Sequence, residues 1–190
     1  MFLSGMLALV VGPSGAGKDT LISAARDALA ADSRFVFCRR IVTRAVDITS
    51  EDHESMEMAQ FVELENAGKF FLTWRSHGLA YALPGSIGDA LKQDKIVIAN
   101  VSRGVIETAE GLANTVVVYN ITAPPDVLAE RLAKRGRESA DKLQLRLQRS
   151  IAIKTSRAEV IEVENSGAPA DAAARFIESL VTLKQRQGRG

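Results

Sequence analysis

Met6-Leu7-Ala8-Leu9-Val10-Val11-Gly12-Pro13-Ser14-Gly15-Ala16-Gly17-Lys18-Asp19-Thr20 is the stretch on which the fold turns. MLALVV is short, apolar and partly β-branched, the composition of a strand buried on both faces. After Lys18, the residues Leu21, Ile22, Ala25 and Leu29 recur at the spacing of one helix face. Buried strand, GxxxxGK and helix, in that order, are the setting in which such a turn binds phosphate. The glycines let backbone N–H groups turn inward around a polyphosphate. The helix N-terminus adds its positive dipole end, and Lys18 reaches toward the outer phosphates. A Gly-rich turn that binds nothing is the bland alternative, and it requires neither the lysine nor its spacing.

One position departs from the motif. The residue after the lysine is ordinarily Ser or Thr, whose hydroxyl binds Mg²⁺; here it is Asp19, followed by Thr20. A carboxylate is a good Mg²⁺ ligand and is favourable in the first turn of a helix. Either Asp19 approaches the metal, or it faces away and Thr20 takes part. Both are candidate Mg²⁺ ligands.

The chain has 190 residues, 46% of them hydrophobic, and a formal net charge of +1. That length suits one domain, residues 1–190, and the near-neutral balance argues against nucleic-acid or anionic-membrane partners. A single cysteine, Cys38, cannot form an internal disulfide, which fits a reducing compartment. It reads as a small buried residue and not as a nucleophile. The apolar N-terminus has no basic leader, and no stretch approaches the length of a membrane span. The expectation is a cytoplasmic protein acting on a small molecule.

Strand-like segments at Met6–Val11, Phe35–Thr43, Ile96–Val101, Thr115–Ile121 and Val160–Val163 alternate with helix-like ones. The latter are Asp19–Ala31, Met58–Ala67, Ser86–Gln93, Pro125–Lys134, Asp141–Lys154 and Ala170–Gln187. Continuous apolar strands such as IVIANV and TVVVYNI predict a mainly parallel sheet with helices on both faces, a three-layer α/β fold with ligands at the carboxyl ends of the strands.

Charge is unevenly placed. From Ala45 to Gly68 there are seven acidic residues and no Lys or Arg, whereas Asp126 to Arg157 holds nine basic residues against four acidic ones. Arg131, Arg135 and Arg137 bracket a turn at Gly136, and Lys142, Arg146 and Arg149 form a stripe beyond it. An arm of this kind suits a lid, residues 135–157, closing over ATP phosphates, since arginine offers planar multi-donor contacts to a transferring phosphoryl group. The ATP-binding candidates are therefore Gly12, Pro13, Ser14, Gly15, Ala16, Gly17, Lys18, Asp19, Thr20, Arg131 and Arg135. Lys18, Arg135 and Arg146 are the catalytic candidates.

The acceptor should lie against a flap at about 39–83, where Arg40, Arg44, Arg75, His77 and Tyr81 stand, with Arg103 beyond the next buried strand. Trp74, within FFLTW, reads as core before ligand contact. His53 and His77 lack the companions of a metal site and read as solvated or substrate-contacting side chains. Asn100 occupies the strand end where phosphate-loop enzymes often place an Asp that holds Mg²⁺ through water.

Taken together, GPSGAGK, Thr43-Arg44, SEDH at Ser50–His53, HGLAY at His77–Tyr81, RLAKRGRE at Arg131–Glu138 and a late strand ending in Asn165 resemble the guanylate-kinase-like branch of the P-loop kinases. The resemblance runs from Met6 to about Leu183. Within the branch the chain is most similar to the ribose 1,5-bisphosphate phosphokinases of phosphonate breakdown, through GPSGAGKD, IVTR, HGLAY and NVSR. It implies a guanylate-kinase-like fold with a mobile lid, Asn165 as a further ATP-binding residue, and synthesis of 5-phosphoribosyl 1-diphosphate from ribose 1,5-bisphosphate and ATP with release of ADP.

The chemistry agrees with that branch. Guanylate kinases carry an acidic residue for the guanine edge in the segment that here reads FFLTWRSHG, and this sequence has none there. An acceptor that is itself a phosphate needs no general base, because its nucleophile is already ionised. The alternatives are a guanylate or other nucleoside monophosphate kinase, a hydroxyl kinase of the gluconate type using Asp47 or Asp52 as base, and a guanylate-kinase-like binding module without catalysis. Such modules tend to lose the loop that is intact here.

Overall fold

The computed structural model describes residues 3–44, 53–76, 78–134 and 152–187. Five parallel strands form one sheet: β1 (Met6–Val11), β2 (Phe35–Phe37), β7 (Ile96–Asn100), β8 (Thr115–Thr122) and β9 (Glu159–Glu164). Their spatial order is β2-β7-β1-β8-β9, which puts MLALVV at the centre with every residue buried. A strand covered on both sides needs apolar side chains at every position, which is why this run does not alternate.

One face is covered by α1 (Lys18–Ala28) and α6 (Pro169–Gln187). Leu21, Ile22 and Ala25 pack there with Phe176, Leu180 and Leu183 over Ala8, Val10 and Tyr119. The other face carries α3 (Ser86–Lys92) and α4 (Ile106–Leu112), whose Ile87, Leu91, Ile106 and Ala109 meet Leu7, Leu9, Val97 and Val118. Helix α5 (Pro125–Lys134) follows β8. The three layers expected from the sequence are present. Each fully buried Leu, Ile or Phe contributes about 1.5–3 kcal/mol of transfer free energy.

A second sheet, ordered β4-β3-β6-β5, joins β3 (Arg40–Val42), β4 (His53–Ser55), β5 (Phe70–Ser76) and β6 (Leu79–Pro84). Here β5 and β6 are an antiparallel hairpin turned at Gly78, whose φ is 77°. Side-chain alternation gives the sheet two faces. Ile41, Ala80 and Ala82 receive Phe61 of α2 (Met58–Asn66), while Leu72, Trp74 and Leu83 join the core beneath the parallel sheet.

Phe35–Thr43 is not the single strand its composition predicts. It splits at Cys38-Arg39, with β2 in the parallel sheet and β3 in the second one. The Cys38 N–H still donates to the Ile98 carbonyl at 2.9 Å, and only beyond it does the chain cross over. The β5–β6 hairpin and α4 also lie outside the expected elements. The expected helix Asp141–Lys154 falls largely outside the described residues, and 152–154 are not helical.

Past those residues the chain is bolted to α4. The Glu110 carboxylate, 5% exposed, accepts hydrogen bonds from the Thr155 hydroxyl, the Ser156 N–H and hydroxyl, and the Arg157 and Ala158 N–H groups. Arg157 in turn donates to the carbonyls of Glu110, Ala113 and Asn114 at the end of α4. Burial alone would raise the Glu110 pKa, but the bonds from Thr155, Ser156 and Arg157 outweigh it and hold the carboxyl down at about 2. Among the described residues, no helix is long and apolar enough to cross a membrane.

Candidate active site

The loop leaves β1 at Gly12, where a side chain would overlap the Ile121 carbonyl of the neighbouring strand. At its far end Gly17 caps α1 in the left-handed region, with φ 87°. A Cβ there would overlap the Asn165 amide, so the position is closed to side chains twice over. Asn165 follows β9 and is 3% exposed; its N–H donates to the Thr122 carbonyl at 2.8 Å and its Nδ2 donates to the Ala16 carbonyl at 2.8 Å. It thus braces the loop from β9. The Lys18 ammonium donates to the carbonyls of Gly12 and Pro13 at 2.9 and 3.0 Å, curled back over the concavity its own loop encloses.

Asp19 and Asn100 meet. Asn100 ends β7 next to β1, and its Nδ2 donates to Asp19 Oδ1 at 2.8 Å. Asn100 is 8% exposed, and its Oδ1 is buried with no hydrogen-bond partner among the described residues. Thr20 is exposed. The two departures from the usual motif, an acid on the helix and an amide at the strand end, are therefore complementary. One carboxylate remains at the place where a strand-end acid and a loop hydroxyl would otherwise stand together. Carboxylate and amide oxygens are hard donors that suit Mg²⁺, so these residues fit the ion. Among the described residues there is no group of three or more His, Cys, Asp or Glu able to hold a metal by themselves.

Helix α5 touches the loop, since a Cβ on Gly15 would lie 3.1 Å from Leu132 Cγ. Arg131 is half-buried on the same helix, and its Nη1 has no hydrogen-bond partner among the described residues. Arg103 opens a short 3-10 turn after β7; its Nη2 donates to Asn120 Oδ1 at 3.0 Å, while Asn120 Nδ2 donates to both oxygens of Glu162 at 2.9 Å. Burial lowers the Arg103 pKa, and the Glu162 charge acts against that.

Strand alternation divides the acceptor candidates. Trp74 and Tyr81 stack with ring centroids 5.3 Å apart, and Arg40 lies over Tyr81 at 5.8 Å, all on the face turned toward the parallel sheet. Trp74 is core, 8% exposed. Arg75 projects from the opposite face, paired with Glu65 of α2 at 2.5 Å and lying 5.0 Å over the Phe61 ring. It is not brought together with Arg40 and Tyr81. Thr43 anchors the strand end before Arg44 by accepting from the Ala80 N–H at 2.8 Å, and Arg44 itself is half-buried. His53 makes a 3.3 Å contact with the Ser55 hydroxyl. Burial pushes the Cys38 thiol up to about 12, so it is no nucleophile at neutral pH. His77, Arg135, Arg137 and Arg146 lie outside the described residues.

Sequence reasoning missed Asn120, Glu162 and Glu110. Asn120 had a signal, a lone amide inside TVVVYNIT. Glu162 and Glu110 had none, because each stands where a solvated charge is ordinary.

No family model matches the chain. It is 46% identical to the ribose 1,5-bisphosphate phosphokinase PhnN of Methylobacterium radiotolerans, over 94% of this chain and 98% of that protein. It is 43% identical to the enzyme of the same name from Brucella melitensis, over 93% of this chain and 92% of that protein. A bifunctional ribose 1,5-bisphosphokinase-thymidine phosphorylase of Cupriavidus pinatubonensis is 46% identical over 93% of this chain, which spans only 29% of it. Among solved structures, guanylate kinase from Anaplasma phagocytophilum superposes with a TM-score of 0.66 at 18% identity, covering 94% of this chain and 85% of that one. At that identity the likeness concerns the fold.

Proposed function

The chain belongs to the ribose 1,5-bisphosphate phosphokinase family, and on that premise we propose that it transfers the γ-phosphoryl group of ATP to ribose 1,5-bisphosphate. The products are ADP and 5-phosphoribosyl 1-diphosphate, and the reaction serves phosphonate catabolism in the cytoplasm. An ionised oxygen of the 1-phosphate attacks the γ-phosphorus, the bond to the bridging β–γ oxygen breaks, and ADP leaves with that electron pair. No proton has to be removed from the nucleophile. The protein's task is to hold two anions in line and to offset the charge between them.

The observation that carries this reading is the position of Arg103, anchored on Asn120 beside the strand that runs into the phosphate loop. The loop amides and Lys18 take the donor phosphates, leaving an arginine next to them for an acceptor that is itself a phosphate. Arg40 and Tyr81 on the second sheet, with Arg44 at its edge, supply the remaining acceptor contacts, which makes residues 39–83 the acceptor flap. Arg131, on the helix that touches the loop through Leu132, is assigned to the donor phosphates. Arg135 and Arg146 act from a lid that ends before Thr155, since residues 155–157 of the expected 135–157 arm are fixed to α4, and the role rests on the basic surplus of the segment's sequence. Asp19, with Asn100 beside it, would hold Mg²⁺, which when bound would supply charge neutralisation to the phosphates.

The test is ADP release by the purified protein with ribose 1,5-bisphosphate, GMP, gluconate and ribose 5-phosphate compared side by side. Turnover should be selective for the bisphosphate. GMP as the better acceptor would overturn the substrate assignment and leave the kinase assignment standing.

A further inference from the structure

Arg103, Asn120 and Glu162 make a chain of contacts across the carboxyl edge of the parallel sheet, of which the proposed reaction uses only the first member. Arg103 stands beyond β7, Asn120 on β8 and Glu162 on β9, and β1 lies between β7 and β8. To reach Asn120 the arginine must pass across β1. The register says where: Asn120 is the partner of Val11, the residue immediately before Gly12, and Glu162 is the partner of Asn120. Alternation along β8 puts Asn120 on the face of Val116 and Val118, the face that packs with Trp74 of the second sheet. The guanidinium is thus tied down at the root of the phosphate loop, on the side where the acceptor would approach.

The link through an amide has a chemical consequence. A carboxylate touching arginine directly tends to take two N–H groups in a bidentate pair. Asn120 takes the Nη2 donor through its carbonyl and passes its own N–H₂ to Glu162, so along this path the amide stands between acid and cation. Asn120 is 8% exposed, and Glu162 lies on the exposed side of an edge strand. The buried amide fixes direction, and the outer acid fixes the amide. An arginine ordered beforehand loses less side-chain freedom when an anion binds.

We propose that Asn120 and Glu162 are positioning residues that orient Arg103 on the phosphate of the acceptor, so that acceptor affinity depends on a carboxylate two strands away from β1. This rests on the reading of the chain as a kinase whose acceptor is a phosphate held by Arg103.

The experiment is steady-state kinetics of the full chain with ribose 1,5-bisphosphate varied at saturating ATP and ATP varied at saturating acceptor, with a thermal melt for each variant. Glu162→Ala should raise the acceptor KM about tenfold, leaving the ATP KM and the melting temperature close to wild type, and Glu162→Gln should keep part of that affinity. Asn120→Asp places two carboxylates side by side and should also raise the acceptor KM. Combining Asn120→Asp with Glu162→Gln puts the acid directly on Arg103, where it takes N–H groups the acceptor phosphate needs, and should leave the acceptor KM raised. Arg103→Ala is the control. If it raises the acceptor KM while both Glu162 variants leave it unchanged, the positioning role is overturned and the reading of Arg103 stands. If Arg103→Ala itself leaves acceptor KM unchanged, Arg103 does not hold the acceptor and both fall. A drop in melting temperature with no change in KM would make the contacts a sheet-edge tie and overturn the proposal.

Discussion

Lys18 is held by two carbonyls of its own loop, at 2.9 and 3.0 Å. An ammonium so placed exchanges neutral acceptors for charged phosphate oxygens without a change of backbone. Lys18→Ala should lower kcat by about 10²-fold or more while leaving the melting temperature near wild type, because the side chain enters the site and not the core. Asp19 is argued from its partner. Since Asn100 Nδ2 holds one carboxylate oxygen at 2.8 Å, the side chain is kept at the strand end and not turned to solvent. Asp19→Ala should raise the Mg²⁺ concentration for half-maximal rate, and Asp19→Ser should recover part of the loss. A Mg²⁺ titration unchanged in both would place the ion elsewhere.

Among the elements, β5 shows how alternation sorts function from structure. Trp74 faces the core and Arg75 the opposite side, where Glu65 and Phe61 occupy it. Arg75→Ala should change the acceptor KM by less than about threefold and stability by no more than about 1 kcal/mol, as for other solvated ion pairs. A large acceptor effect would show that α2 moves away when substrate binds. The clasp between α4 and residues 155–158 is of another kind, since the acid is buried and receives several donors. Glu110→Ala should cost about 1–3 kcal/mol by leaving the half-buried N–H groups of residues 156–158 without their acceptor. Its folded-state pKa of about 2 lies below the ordinary 4.5, so its stabilisation is full above that ordinary value and is lost as pH falls toward about 2. Melts at descending pH should therefore show wild type and Glu110→Gln converging over that interval. A constant gap between them would mean that the carboxylate charge is not what the clasp uses.

For the molecule as a whole, the proposed reading gives the donor site to the parallel sheet and the acceptor site to the second sheet, sharing one opening. Discrimination between acceptors follows from the charges lining that opening. The segment Phe70–Ser76 offers no acid to a guanine edge, and an unpaired buried polar edge costs about 1–3 kcal/mol. Two phosphates on one sugar, by contrast, call for the charged donors of Arg40, Arg44 and Arg103. kcat/KM for ribose 1,5-bisphosphate should exceed that for GMP by at least about 10²-fold, equivalent to roughly 2.7 kcal/mol. Comparable values for the two would show that recognition does not run through these arginines.

Much of this was legible from residue order. Strand, glycine loop and helix are contiguous; the bonds of the loop and helix are short-range, so Gly12–Ala28 declares its own structure, while Met6–Val11, bonded only to distant strands, shows itself by its unbroken apolar run. The unbroken apolar runs IVIAN and TVVVYNIT likewise required a covered parallel sheet, because no other position leaves every side chain dry. What remained hidden depended on contacts between distant segments. Nothing local marks the crossover at Cys38-Arg39, where an even apolar-basic run changes sheets because Ile98 pairs with its first half and β6 with its second. The meeting of Asp19 with Asn100, 81 residues apart, and the brace from Asn165 to Ala16, 149 residues apart, arise only when β7 and β9 take their places around β1. Side-chain chemistry is written residue by residue, but which carboxylate faces which amide is set by the order and register of strands.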